Sequence, residues 1–225
     1  MGLDMYLERM PRYKDATASD VMAVASYLDW QKCKAEGSEY ANCSFKEWCG
    51  RDEIPSNEYI DFYSTFYKAY YSDWDTEHQH PWMRIHEEVG YWRKANHIHR
   101  WFVDTIQDGE DDCCYHREVD EDDIRELLDL CEVVLASCEL VDGQVFSGYR
   151  YDENNTRIPI MDSGKTVEDS CAAEMLLPTQ SGFFFGGTDY DEWYVEDIKH
   201  TIEIIKNVLE TTDFETQMLY YVSSW

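Results

Sequence analysis

The chain has 225 residues and a formal net charge of −28, from 47 Asp and Glu against 19 Lys and Arg. That length fits one large domain or two small ones, and an apolar share of 44% is too high for a disordered polyanion. Such a charge repels nucleic acid and anionic membrane wherever no basic face is set apart, and it draws in basic partners.

The predicted elements run as follows. Leu3 to Met10 reads as a strand ended by Pro11. Thr17 or Ser19 caps a helix to about Glu36, with Val21, Val24 and Leu28 on one face. Gly37 to Cys43 is a loop, and Ser44 to Cys49 a short helix stopped by Gly50. Asn57 caps a helix through about Tyr71, whose Tyr59, Phe62, Tyr63, Phe66, Tyr67 and Tyr70 recur at three- and four-residue steps, the pattern of a core stripe. Asp73 to Pro81 is a polar loop. Arg84 to about Ile106 reads as one helix, locally basic in an acidic chain. Asp120 opens a helix through Ala136, its acidic first turn suited to the positive end of the helix dipole. Gln144 to Tyr151 and Thr156 to Met161 form a hairpin around Asp152 to Asn155. Thr166 to Met175 is a short helix with capping-box spacing, and Ser181 to Gly187 a buried strand. Thr188 caps a long helix to about Glu210. Gln217 to Val222 is a last strand, placed to pair with the first. The fold class expected is α+β: a single acidic domain over 1–225, mostly helical, with a small antiparallel sheet that includes the N- and C-terminal strands.

No apolar run reaches the roughly 20 residues of a membrane span. The opening Met-Gly-Leu-Asp-Met-Tyr-Leu lacks the basic start and apolar block of a secretory signal, and Tyr6 stands where myristoylation needs the small hydroxyl residue Ser or Thr. The eight cysteines are irregularly spaced, a pattern of reduced cytosolic thiols.

Four segments carry a resemblance. They are the opening Met1 to Leu7, the block Tyr91-Trp-Arg-Lys-Ala-Asn96 to Trp101-Phe-Val103, Leu177-Pro-Thr-Gln-Ser-Gly-Phe-Phe-Phe-Gly186 with Tyr190-Asp191-Glu192, and the terminal Ser223-Ser-Trp225. Together they resemble a family of small phage, prophage and bacterial proteins of unassigned activity. The resemblance covers about half the chain, leaving about 37–80 and 139–170 as insertions. Some members carry the label phosphoglycerate kinase, but this chain is too short for that two-domain enzyme and has no matching nucleotide site. The resemblance implies a phage-linked setting in the cytoplasm of a bacterial host.

At about 100° per residue, His86, Arg93, His97, Arg100 and Asp104 fall within about 40° of one line on the predicted basic helix. Two readings stay open for this stripe: a pocket for an anion or nucleotide, and an internal ion-pair network. His97 and His99 point to opposite sides of a helix, so they do not chelate one metal; Asn96 and His99 read as hydrogen-bonded core polar residues. His78 and His80, beside Asp73, Asp75 and Glu77, lack a second ligand pair at fixed spacing. The thiols of Cys113 and Cys114 sit among acids that raise their pKa and lower their reactivity. Asp108 to Asp112 lacks the turn glycine and the bidentate glutamate of a calcium loop, since Cys113 and Val119 hold those places. Gly164-Lys165-Thr166 lacks the earlier glycine of a phosphate loop; Pro159 stands there. Neither a Gly-x-Ser-x-Gly elbow nor a dinucleotide fingerprint is present. No catalytic residue, metal or cofactor is assigned.

The acidity is concentrated. From Asp108 to Asp142 there are 14 acids against Arg117 and Arg125, a local charge of −12. Asp108, Glu110, Asp111, Asp112, Glu118, Glu121, Asp122, Asp123, Glu126 and Asp129 form the candidate partner-binding face. The leading expectation is a non-enzymatic, anti-defence inhibitor. It would bind a basic, nucleic-acid-handling host protein as a nucleic-acid mimic, without contacting nucleic acid or membrane itself. The alternative is a small-molecule or nucleotide-binding protein, or an enzyme, using His86, Arg93, His97 and Arg100.

Overall fold

The structure, a computed structural model, describes residues 2–37, 42–70 and 82–225. It is α+β. Its elements are β1 (Asp4–Pro11), α1 (Ala18–Glu36), α2 (Phe45–Cys49), α3 (Asn57–Tyr63), β2 (Lys68–Tyr70), β3 (Trp82–Arg84), β4 (Glu87–Arg93) and α4 (Asn96–Ile106). Then come β5 (Arg117–Val119), α5 (Glu121–Ser137), β6 (Leu140–Tyr151), β7 (Arg157–Val167), α6 (Cys171–Leu176), α7 (Glu192–Thr211) and β8 (Gln217–Ser224). One four-stranded sheet has the order β4-β1-β8-β5, so the first and last strands are neighbours, as their sequences predict. The pairs β2-β3 and β6-β7 form separate antiparallel ribbons.

The chain divides into two compact units. One comprises Glu8–Glu88 and Asp213–Tyr220. Its core gathers Met10, Val21, Val24, Tyr63, Met218 and Tyr220, with Tyr13, Tyr59 and Phe62 partly buried against them. Helix α1 starts at a capping box, in which the Thr17 hydroxyl accepts from the Asp20 N–H and the Asp20 carboxylate accepts from the Thr17 N–H. It stops at Gly37, whose φ of 67° is the left-handed conformation that glycine adopts without strain.

The other unit comprises Met1–Leu7, Val89–Thr212 and Tyr221–Trp225. Helix α5 packs on α7, and Leu3, Leu7, Trp92, Phe102, Ile198 and Tyr221 are among its buried side chains. The Phe102 and Tyr221 rings stack at 3.9 Å. At Gly90 an added Cβ would lie 2.7 Å from Ile204 Cγ2, so only glycine lets β4 come this close to α7.

Several expectations are corrected. The predicted helix from Arg84 to Ile106 is two elements. Residues 87–93 form strand β4, where Gly90 and Trp92 are buried and their neighbours are not, the two-residue period of a strand. Lys94, at φ 62°, ends the strand, and the helix begins at Asn96. The helix predicted to reach Tyr71 ends at Tyr63; a 3-10 turn over Ser64–Phe66 follows, and then β2, in register with β3. That pairing is non-local, and helical periodicity does not report it. Of the expected aromatic stripe, Tyr63 is fully buried while Phe66 is 37% exposed. Thr166 lies in β7 and the short helix starts only at Cys171. The long helix is capped by Asp191, whose carboxylate accepts from the N–H groups of Trp193 and Tyr194, rather than by Thr188. Ser181 to Gly187 is a looped turn and not a strand, with Phe183 95% exposed and Phe185 buried.

Candidate functional site

The basic stripe does not form. His86 precedes β4, Arg93 ends it, and only His97 and Arg100 belong to helix α4. His86 lies in a different compact unit from the other three. Three members each lie beside an acid: His86 Nε2 is 3.5 Å from Glu8, Arg93 is 3.9 Å from Asp4, and Arg100 is 3.4 Å from Asp104. A continuous helix would align these residues at 100° steps, but strand β4 occupies its first half and the backbone separates them.

His97 is fully buried against the Tyr194 ring, at 4.3 Å between centroids. Burial pushes its pKa down to about 3, because no nearby charge offsets the cost of desolvating an imidazolium. The ring is therefore neutral near pH 7 and suited to a core role. His99 is also buried. Its Nδ1 lies 2.7 Å from the Tyr221 hydroxyl and its Nε2 3.0 Å from the Asp111 carboxylate. Burial lowers its pKa, and Asp111 opposes that shift. Asn96 binds the 180–187 loop three times. Its amide donates to the carbonyls of Phe185 (3.1 Å) and Gly187 (2.7 Å), and its carbonyl accepts from the Gln180 N–H at 2.8 Å. This anchoring explains why Ser181 to Gly187 turns instead of extending.

The ten residues of the predicted acidic face divide. Asp111 holds His99, Asp112 pairs with Arg117, Glu121 pairs with Arg125, and the Asp123 carboxylate closes the capping box of α5 at Asp120. Those four serve the fold. Asp108 and Glu110 are exposed beyond α4, and Glu118 is exposed in β5. On α5, Asp122, Glu126 and Asp129 are all exposed, at spacings of four and three residues. Helical geometry puts them on one line, continued by Val133, which is 54% exposed. Nearby Glu132 reaches Lys206 of α7 at 2.6 Å instead.

The false phosphate signal lies in a strand rather than at the start of the helix expected from Thr166. Gly164, Lys165 and Thr166 lie inside β7, opposite Gly143, Asp142 and Val141 of β6, in extended backbone that forms no loop. Cys113 and Cys114 have sulfur atoms 3.3 Å apart, and the thiol of Cys114 is held up in pKa by its neighbour. Among the described residues no cluster of three His, Cys, Asp or Glu could hold a metal ion, and no helix is long and apolar enough to cross a membrane. The His78 and His80 loop lies outside the described residues.

A grouping that the sequence does not announce lies in the unit of Glu8–Glu88 and Asp213–Tyr220. A cavity of about 770 Å³ is lined by four cationic side chains, Arg9, Arg12, Lys68 and Arg84, together with His86. Two acids, Glu87 and Glu88, also line it. No single stretch signals this site, because its residues come from β1 and the residue after it, α3 and the 3-10 turn, β2, β3, the start of β4 with the turn before it, and the start of β8. No protein family, no curated protein and no solved structure matches this chain.

Proposed function

We propose that this protein acts by binding a basic, nucleic-acid-handling protein rather than by catalysis, in the phage-linked setting its motifs suggest. The observation that carries the reading is the row Asp122, Glu126 and Asp129 on α5. Its neighbours Glu121, Asp123 and Glu132 are engaged within the chain, while these three carboxylates face outward. Like charges a turn apart on a helix destabilise it by a few tenths of a kcal/mol per pair, so the row costs the fold a little and gives it no contact. A cationic partner would remove that repulsion and be steered in by the chain's net charge. The three charges are spread over seven residue steps, about 10 Å of helix axis, a sparser row than the phosphates of one DNA strand. The apolar Val133 at its end supplies the uncharged contact a stable interface needs.

The test is capture from a bacterial lysate on the immobilised protein, with the triple variant Asp122→Lys, Glu126→Lys, Asp129→Lys beside it. The reading expects a nucleic-acid-binding protein that duplex DNA or high salt displaces and that the variant fails to retain. Retention by the variant as strong as by the native chain, or capture insensitive to DNA and salt, refutes it.

A further inference from the structure

The cavity in the unit of Glu8–Glu88 and Asp213–Tyr220 is a second feature, independent of the acidic row. Its charge is opposite to that of the chain. Four Lys and Arg stand against Glu87 and Glu88 on its walls, in a protein where acids outnumber bases by more than two to one. One of those acids is already engaged, since Arg9 meets the Glu87 carboxylate at 2.7 Å. The other, Glu88, has its pKa raised by burial, with Arg84 opposing the shift.

The placement of the cations is unusual. Lys68 and Arg84 are direct cross-strand partners in the β2–β3 ribbon, and both line the cavity. An anion held between them makes two charge-assisted contacts, and the planar guanidinium is shaped to fork onto a phosphate or carboxylate.

The remaining wall is apolar and aromatic. Phe62 and Phe66 face the cavity with Met10 and Ile85, and Phe62 is braced from behind by Tyr13, stacked at 4.1 Å with rings 16° from parallel. Thr216 and Gln217 add hydrogen-bonding groups. The volume lies within the range of sites that enclose a ligand of drug or nucleotide size. Cations and flat rings lining one cavity match a ligand that carries both an anionic group and a planar body.

The geometry points to a binding site for a small organic phosphate with a flat ring body, of nucleoside monophosphate size, with Lys68 and Arg84 on the phosphate and Phe62 and Phe66 against the ring. The phosphate is the preferred anion because two opposed cations match its double charge better than a single carboxylate.

The test is calorimetric titration and thermal shift of the full chain with AMP, GMP, CMP and UMP, with adenosine, inorganic phosphate and benzoate as comparisons. At least one nucleotide is expected to bind and raise the melting temperature, with adenosine and inorganic phosphate each weaker. Arg84→Ala and Lys68→Ala should each weaken nucleotide binding about tenfold or more, as expected for loss of one charge-assisted contact. Phe66→Ala, at a partly exposed ring, should weaken the nucleotide but not inorganic phosphate. Circular dichroism of each variant separates lost binding from lost folding, and Arg84→Lys should restore part of the affinity in a folded protein. No shift with any nucleotide, adenosine binding as tightly as AMP, benzoate matching the nucleotides, or binding indifferent to the Arg84 and Lys68 variants would overturn the assignment.

Discussion

Acidification should unfold this protein partly through one residue, His97. Its imidazole is fully buried against Tyr194, and its pKa is pushed down to about 3 from the usual 6.5. In the unfolded chain the ring takes a proton as the pH falls through 6.5, whereas in the fold it does not until about pH 3. The unfolded state therefore binds more protons throughout that window, and stability falls as the pH falls. The slope is about 1.4 kcal/mol per pH unit. From pH 7.5 to pH 4.5, two units lie below 6.5, so His97 alone should remove about 3 kcal/mol. Replacing it with glutamine deletes the titration and keeps a polar side chain of similar reach. His97→Gln should start less stable at pH 7.5 and lose about 3 kcal/mol less than the native chain on going to pH 4.5. Urea unfolding followed by tryptophan fluorescence at the two pH values measures both losses. His99 and the surface carboxylates titrate alike in the two proteins, so the difference isolates residue 97. Equal losses in the two proteins would refute the neutral, buried histidine.

The opposite limb belongs to Asp197, whose pKa burial raises to about 7, helped by Asp191 and Glu196. A raised carboxylate favours the fold when protonated, so its stabilisation is present below the unfolded value of 3.8 and is lost as the pH rises to about 7. Asp197→Asn should therefore stabilise the protein at pH 8 by roughly 1–3 kcal/mol and leave it nearly unchanged at pH 4, measured as the shift in urea midpoint. Asn96→Ala removes all three bonds to the 180–187 loop and should cost roughly 2–4 kcal/mol. Its mark is faster amide exchange at Gln180, which loses its acceptor; unchanged exchange there would show that the loop holds itself. Trp92→Phe deletes the buried indole donation to the Thr201 hydroxyl at 2.9 Å and should cost roughly 2–3 kcal/mol, with Trp92→Phe, Thr201→Val costing less than the two singles added. Gly90→Ala forces a methyl into Ile204 Cγ2 and should destabilise, with Ile204→Ala, which removes that carbon, costing less in the Gly90→Ala background than in the native chain.

Much of this protein's local structure is written in short stretches of its sequence. The capping signals of α1, α2 and α5, the glycines after α1 and α2, the Asp152–Asn155 turn and the strand character of the two terminal segments depend on nearby residues or simple alternation, and they are where the residues place them. The polar core roles of Asn96 and His99 were legible too, because a polar residue within an apolar helix needs a partner. The helix from Arg84, the longer aromatic helix and the strand at Ser181 were not. Each depends on a partner far away in the chain: the neighbouring strand for β4, the opposite strand for β2, and Asn96 for the 180–187 loop. The acidic character was set by composition alone. Glu121 and Asp112 meet arginines within five residues of them, whereas Asp111 and Glu132 were assigned to the fold only when His99 and Lys206 were brought beside them. The cationic cavity is the furthest from the sequence. Its charges come from separate segments, and only the folded chain, through pairings such as Lys68 opposite Arg84, collects them around one cavity, since pairing geometry, unlike charge, is not a property of composition.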